Sequence, residues 1–342
     1  MSTDTQVLVA GGGPVGLAAA IEARLAGLDV TIVEPRGGPI DKACGEGLMP
    51  GALPQLARLG VDPPGRPFAG IVYRDGRRRA EHRFSQGPGR GVRRTVLHAT
   101  LAARAAELGV RFHAGRVGTV HQRAGFVEAV GLRADWLFAA DGLHSAVARE
   151  VGLALPPPRA RRRFGQRRHY VLEPWSEFVE VLWTRQGEFY ITPVGDRLVG
   201  LALLARRGVL FDDALAASPE LAERVRGAAG ASELRGAGPL RQRTRARIAG
   251  RVLLVGDASG YVDALTGEGL RIGFAQARAA VAAVRAGDPG SYSAAWERET
   301  RVFRRLTGGL VRLAASPARG AVVPAASRFP PLFASAVERL AR

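Results

Sequence analysis

Gln6-Val7-Leu8-Val9-Ala10-Gly11-Gly12-Gly13-Pro14-Val15-Gly16 is the stretch that decides how this chain folds. Gln6 to Ala10 is a short apolar run with strand character. The glycines follow at once, Leu17 to Ala26 reads as an Ala- and Leu-rich helix, and Gly27 stands where a helix ends on a left-handed residue. Val30-Thr31-Ile32-Val33-Glu34 is the next strand. The result is a βαβ unit carrying G-x-G-x-x-G at Gly11, Gly13 and Gly16. Gly11 permits the tight turn, Gly13 lets a pyrophosphate reach the backbone, and Gly16 lets the helix pack close to the strand. The helix N-terminus presents free N–H groups and partial positive charge to phosphates. Glu34 ends the second strand, where an acid accepts hydrogen bonds from a ribose. By itself the motif does not separate NAD from FAD.

Outward from this unit, the 342 residues suffice for a large core and more than one structural domain. No apolar run approaches the ~18 residues of a membrane-spanning helix, and Met1-Ser2-Thr3-Asp4 lacks the basic start of a signal peptide. Cys44 is the only cysteine, so no internal disulfide forms and a cytoplasmic setting is expected. Net charge is +18, and of 49 basic residues only Lys42 is a lysine. Such a charge by itself suggests nucleic acid or an anionic surface; GC-rich codon usage, which favours Arg, Ala and Gly together, is the other reading. No nucleic-acid-binding module accompanies the charge, and nucleic acid is not an expected partner. The substrate is expected to be a small molecule, free or, as the alternative, borne by an acidic carrier protein. Oligomeric state is open.

Two further strands end in aspartate-glycine pairs. Trp136-Leu137-Phe138-Ala139-Ala140 leads into Asp141-Gly142-Leu143-His144-Ser145, and Arg251-Val252-Leu253-Leu254-Val255 leads into Gly256-Asp257-Ala258-Ser259-Gly260. Asp263-Ala264-Leu265-Thr266-Gly267-Glu268-Gly269-Leu270 then opens a helix reaching about Ala283. In open α/β sheets, ligands bind where such strand ends gather.

With these three motifs in this order over some 260 residues, the chain resembles the FAD-dependent aromatic hydroxylase and geranylgeranyl reductase superfamily. The resemblance extends to about residue 285. It implies FAD bound in an extended conformation, with Asp257 on its ribityl or ribose region and the Asp141-Gly142 turn beside the dinucleotide groove. Asp41-Lys42-Ala43-Cys44-Gly45-Glu46-Gly47 resembles the segment that passes the flavin, and Arg94-Thr95-Val96-Leu97-His98 opens a helix whose first arginine reaches the cofactor. The same resemblance places Pro14, Val15, Pro35, Arg36, Lys42, Cys44, Gly45 and Val117 on the groove. A cation at Arg94 would offset pyrophosphate charge; a surface arginine is the alternative. Gly267, Glu268, Gly269 and Leu270 would bring backbone N–H groups and a helix N-terminus to the reduced ring. Halogenases of similar fold use a lysine outside the flavin segment and a tryptophan-rich motif, and this chain has neither.

The expected fold class is α/β: a Rossmann-like FAD-binding βαβ domain, an inserted antiparallel substrate sheet and a helical C-terminal tail. Residues 1–66, 87–158 and 241–285 are assigned to the discontinuous FAD-binding domain, 67–86 and 159–240 to the substrate domain, and 286–342 to the cap. Asp75-Gly76 signals a hairpin. Strand-like runs span 168–172, 178–184, 188–193 and 198–204. Trp183, Phe189, Tyr190 and Ile191 are candidates for a pocket lining, with ordinary core as the alternative. Cys44, His169 and Tyr190 are the catalytic candidates, and His144 is a further acid–base candidate. His82, His113 and His121 lack ligand spacing, and no metal site is expected. Arginines in 159–163 and 166–168 read as solvated surface, with attraction of a nicotinamide 2′-phosphate as the functional alternative. The tail from Trp296, apolar at helical spacing, reads as a cap, and a basic amphipathic tail on a membrane is the other reading.

The function expected from these signals is an FAD-dependent monooxygenase in which NAD(P)H reduces FAD and a flavin C4a-hydroperoxide oxygenates a small organic substrate. The alternative is a geranylgeranyl-reductase-like reduction of carbon–carbon double bonds.

Overall fold

The structure, a computed structural model, describes residues 3–156 and 162–342. Its centre is an eight-stranded sheet in the order Ile248–Ala249, Val252–Leu254, Leu132–Ala139, Thr5–Ala10, Val30–Glu34, Arg111–Ala114, with Val127–Ala129 and His121–Gln122 added beyond Leu132–Ala139. The pairs that flank Thr5–Ala10 are parallel, as are those joining Val252–Leu254 and Arg111–Ala114 to the central strands. Interior parallel strands lie buried on both faces, which explains why Thr5–Ala10, Val30–Glu34 and Val252–Leu254 are largely apolar, whereas the edge strand Arg111–Ala114 is exposed. Pro14–Leu25, Arg94–Glu107 and Gly269–Arg285 form helices whose apolar residues join one core with Val7, Val9, Ile32 and Phe138. Gly27 closes the first helix at φ 81°.

A second, seven-stranded sheet runs Arg235–Ala237, Arg163–Tyr170, Leu198–Arg206, Gly187–Gly195, Val179–Trp183, Gly70–Arg74, Arg79–Arg83. The Asp75-Gly76 hairpin forms as expected. The sheet is not wholly antiparallel, because Val179–Trp183 and Gly70–Arg74 pair in parallel. These strands come from segments a hundred residues apart, so no tight turn forces them to run oppositely. One face of the sheet packs beneath Phe211–Ala216 and Pro219–Arg224 through Phe189, Ile191, Leu201, Leu203 and Phe211. The other contributes Ile71, Val179, Val181 and Leu204 to a core completed by the C-terminal helices.

The tail crosses from one sheet to the other. In Ser291–Ala314, the Tyr292 hydroxyl donates to the Leu254 carbonyl at 2.6 Å, and Trp296 Nε1 donates to Ser259 Oγ at 2.8 Å. Helices Val322–Arg328 and Pro330–Ala341 follow. Glu338 in the last helix accepts from Ser85 N and Oγ, both at 2.8 Å, and sits 2.7 Å from His82 Nε2.

The arginine-rich strand corrects the solvated-surface reading. Residues 159–161 lie outside the described residues, but Arg163 and Arg167 are buried, Arg167 to 1% exposure. On Arg163–Tyr170 the odd-numbered residues face inward, as strand alternation requires. Arg163 is bonded to Glu188 and lies 3.6 Å from Asp263, both buried. Arg319 from the tail reaches Glu188 at 2.8 Å. Burial raises both carboxyls above their ordinary range against the pull of Arg163. Removing one member of such a cluster leaves buried charge uncompensated. R163M is therefore expected to lower unfolding free energy by about 3–5 kcal/mol, measured by chemical denaturation.

Candidate functional site

Ala10, Ala139 and Leu254 stand in register across three parallel strands. Gly11, Gly13, Asp141-Gly142 and Gly256-Asp257 therefore emerge at one edge of the sheet, and all border a cleft of about 760 Å³. The glycines there have separate reasons to exist. Gly11 has φ 103°, and a Cβ on it would lie 2.6 Å from the Ala140 carbonyl oxygen. A Cβ on Gly16 would lie 1.9 Å from the Gly11 carbonyl oxygen, so Gly16 serves packing inside the protein and does not line the cleft. Gly13 differs from both. Its φ of −68° suits any residue, and a Cβ there would meet no protein atom within 4 Å. The glycine leaves open space in the cleft at the N-terminus of Pro14–Leu25, where a phosphate is favoured. His98 Nε2 pins this loop by donating to the Gly12 carbonyl at 2.9 Å. Burial lowers the His98 pKa, so the ring stays neutral near pH 7.

Charged groups ring the same end. Glu34 accepts from Gly12 N at 2.8 Å and from Arg36 Nε at 2.7 Å. Burial alone would raise its carboxyl, but the Arg36 and backbone hydrogen bonds outweigh it and hold the pKa below the usual value. Lys42 and Asp257 face each other at 3.5 Å. Asp141 Oδ2 accepts from Val147 N at 3.1 Å, while Asp141 Oδ1 is buried without a hydrogen-bond partner. Arg94 Nη1 lies 4.0 Å from Cys44 Sγ, and its buried Nε also lacks a partner. Pro35, Arg36, Gly45, Val117, Gly142, Gly267, Gly269 and Leu270 border the cleft too. The helix expected from Leu270 begins at Gly269.

The opposite end is apolar. Met49, Ile71, Tyr73, Val179, Val181, Tyr190, Leu204, Leu240, Leu265, Val337 and Leu340 line it. They come from the seven-stranded sheet, the loop before Gly269, the last helix and the segments holding Met49 and Leu240. The Tyr190 hydroxyl donates to the Leu265 carbonyl at 2.7 Å. Burial pushes Tyr73 and Tyr190 well above their ordinary pKa. Of the lining candidates, Tyr190 alone borders the cleft; Phe189 and Ile191 point to the opposite core, and Trp183 is core beside Tyr73. Alternation on Gly187–Gly195 separates Tyr190 from its neighbours.

Two other expectations change. Glu268 is buried and pairs with Arg271 at 2.6 Å, away from the cleft, and burial lifts its pKa to about 7. His169 is fully buried and does not line the cleft, whereas His144 stands exposed at its rim. An arginine N–H only donates, so Arg167 Nη1, 3.1 Å from His169 Nδ1, makes that nitrogen an acceptor. The ring proton then sits on Nε2, which donates to Glu46. Glu46 also accepts from Arg94 N at 2.8 Å, and Arg167 bonds to Asp41. Sequence reading missed Glu46. It has φ 60° and a buried side chain within Cys44-Gly45-Glu46-Gly47, and an acid between two glycines was its one visible mark.

Residues 4–286 match the family described as FAD binding domain. Menaquinone reductase of Mycolicibacterium smegmatis is 29% identical, over 86% of this chain and 80% of its own. Rifampicin monooxygenase of Streptomyces venezuelae is also 29% identical, over 79% of this chain and 62% of its own. The crystal structure of a flavoprotein/dehydrogenase from Cytophaga hutchinsonii superposes with a TM-score of 0.83 at 18% identity, covering 98% of this chain and 92% of that one, and shares the fold. With the glycine cradle, the two aspartate-glycine strand ends and the family match in agreement, the chain belongs to the FAD binding domain family and is an FAD-dependent oxidoreductase.

Proposed function

We propose that the chain uses NADH or NADPH and O2 to place one oxygen atom on an organic substrate with a bulky apolar body. The other oxygen atom leaves as water, and the nicotinamide provides the two electrons. FAD, when bound, would supply this redox chemistry. The residues present fit it. The open space at Gly13 and the N–H groups of the first helix suit a pyrophosphate. Glu34 and Arg36 suit a ribose, the unpartnered Asp141 Oδ1 and Arg94 Nε suit polar groups of the cofactor, and Lys42 with Asp257 suits its middle. Gly45, Gly267 and Gly269 offer backbone beside a ring.

The observation that carries the reading is the composition of the apolar end. Adding hydrogen across a carbon–carbon double bond requires an acid beside the carbon that takes the proton. There the lining offers the Tyr73, Tyr190 and Tyr261 hydroxyls, all made weaker acids by burial, and Tyr190 already donates to Leu265. Oxygen transfer instead asks for a chamber poor in water. A second reading, reduction of a double bond, is favoured by the Cys44 thiol at the cleft wall, which carries a transferable proton, and by the relative named menaquinone reductase.

Labelled O2 separates the two. Mass spectrometry of the product is expected to show one labelled oxygen atom; a product that gains two hydrogens under anaerobic conditions would establish the second reading. The cofactor cradle is tested by G13V. Because this side chain meets only open cleft, the variant is expected to fold as wild type by circular dichroism and lose FAD affinity by about tenfold or more, read by flavin fluorescence titration.

A further inference from the structure

The last two helices carry an apolar tip that the cleft does not use. Phe329 is 56% exposed and Leu332 is 70% exposed. Pro330 and Pro331 between them are exposed as well. This tip sits at the junction of Val322–Arg328 and Pro330–Ala341, beyond residue 286 where the family match ends. One helix face is already satisfied, since Phe333, Val337 and Ala341 are buried against the substrate-side core. Phe329 and Leu332 are left in water, where large apolar groups gathered in one place mark a contact surface.

The surroundings say what kind of contact. Residues 301–342 contain eight arginines and one acid, Glu338, which is taken by His82 and Ser85. Arg301, Arg305, Arg312, Arg328 and Arg339 make no ion pair among the described residues. The Arg328 guanidinium lies 6.0 Å from the Phe329 ring centroid, so a cation flanks the tip directly. An apolar wedge beside unpaired cations fits a bilayer surface bearing anionic headgroups. A second copy of this chain fits poorly, because the approaching surface would carry the same net charge of +18. No helix among the described residues is long and apolar enough to cross a membrane, so the contact is peripheral.

We propose that Phe329–Leu332 inserts into the interface of an anionic membrane while the tail arginines bind its headgroups. Leu340 of the same helix lines the apolar end of the cleft. It is eight residues from Leu332, or about 12 Å along the axis. Docking would thus hold that end of the cleft near the bilayer.

The test is co-sedimentation of FAD-loaded protein with vesicles of phosphatidylcholine, with and without phosphatidylglycerol. Binding is expected only with phosphatidylglycerol present, and is expected to weaken as salt rises. F329S/L332S should weaken it by about tenfold or more, with flavin absorbance and melting temperature unchanged, and R328Q/R339Q should weaken it too. Wild-type protein that stays in solution with anionic vesicles, or a double serine variant that sediments like wild type, would overturn the proposal. Light scattering that finds a wild-type dimer and a monomeric F329S/L332S protein would assign the tip to a second copy. Sedimentation does not depend on turnover, so its outcome is separate from the choice between oxygenation and reduction.

Discussion

The Gly11 carbonyl and the Cα of Gly16 approach so closely that a methyl group at residue 16 would lie 1.9 Å from the oxygen. This contact seats the first helix at the end of the first strand. The strand lies between two parallel neighbours, so seating the helix there also fixes what stands beside it. Gly256 follows the same rule, for a Cβ on it or on Gly273 would strike Val15 at 2.9 or 2.4 Å. At Gly16 backbone meets backbone, at Gly256 and Gly273 backbone meets the Val15 side chain, and the cleft is what remains in front of them. Gly13 faces that remainder and touches nothing.

Around this frame, two of the 48 arginines are buried among the described residues. Arg163 and Arg167 are buried on one strand, and each meets carboxylates from distant segments: Glu188 and Asp263 for the first, Asp41 for the second. Such pairs recover little net stability relative to apolar packing. They do specify which segments meet. Arg167, His169 and Glu46 link the seven-stranded sheet to the Cys44–Gly47 segment and, through the Arg94 amide, to the start of a helix on the central core. Glu46 holds a left-handed backbone at φ 60°, an unfavourable conformation for a residue with a Cβ. Its hydrogen bonds with the buried His169 ring and the Arg94 amide offset that cost. The wall of the cleft beside Cys44 is therefore held from both sheets at once.

Chemically the cleft is divided. One end is lined by glycine backbone, two helix N-termini and paired charges, and the other by aliphatic and tyrosine side chains. Nothing short-range imposes that division. The polar end is made by the ends of parallel strands, the apolar end by one face of a second sheet and a C-terminal helix, and the cleft lies where the two meet.

The residue string by itself determined the βαβ unit, the two later strands with their aspartate-glycine ends, the Asp75-Gly76 hairpin and a helix starting near Leu270. Each rests on a local rule, a glycine where a Cβ does not fit or an apolar period within ten residues, so a neighbour far along the chain is not needed to see it. Most of the polar end of the cleft was legible for that reason. Glu268 was not, because its direction depends on Arg271 one helical turn away, and neither was His169, whose burial depends on Glu46 more than a hundred residues earlier. Only the tertiary structure decided that alternate arginines of residues 163–170 turn inward, that Tyr190 and not Phe189 faces the cleft, and that Val337 and Leu340 close it. A strand's two faces are equivalent until another layer covers one of them, and which layer arrives is set by contacts between segments that the sequence lists far apart.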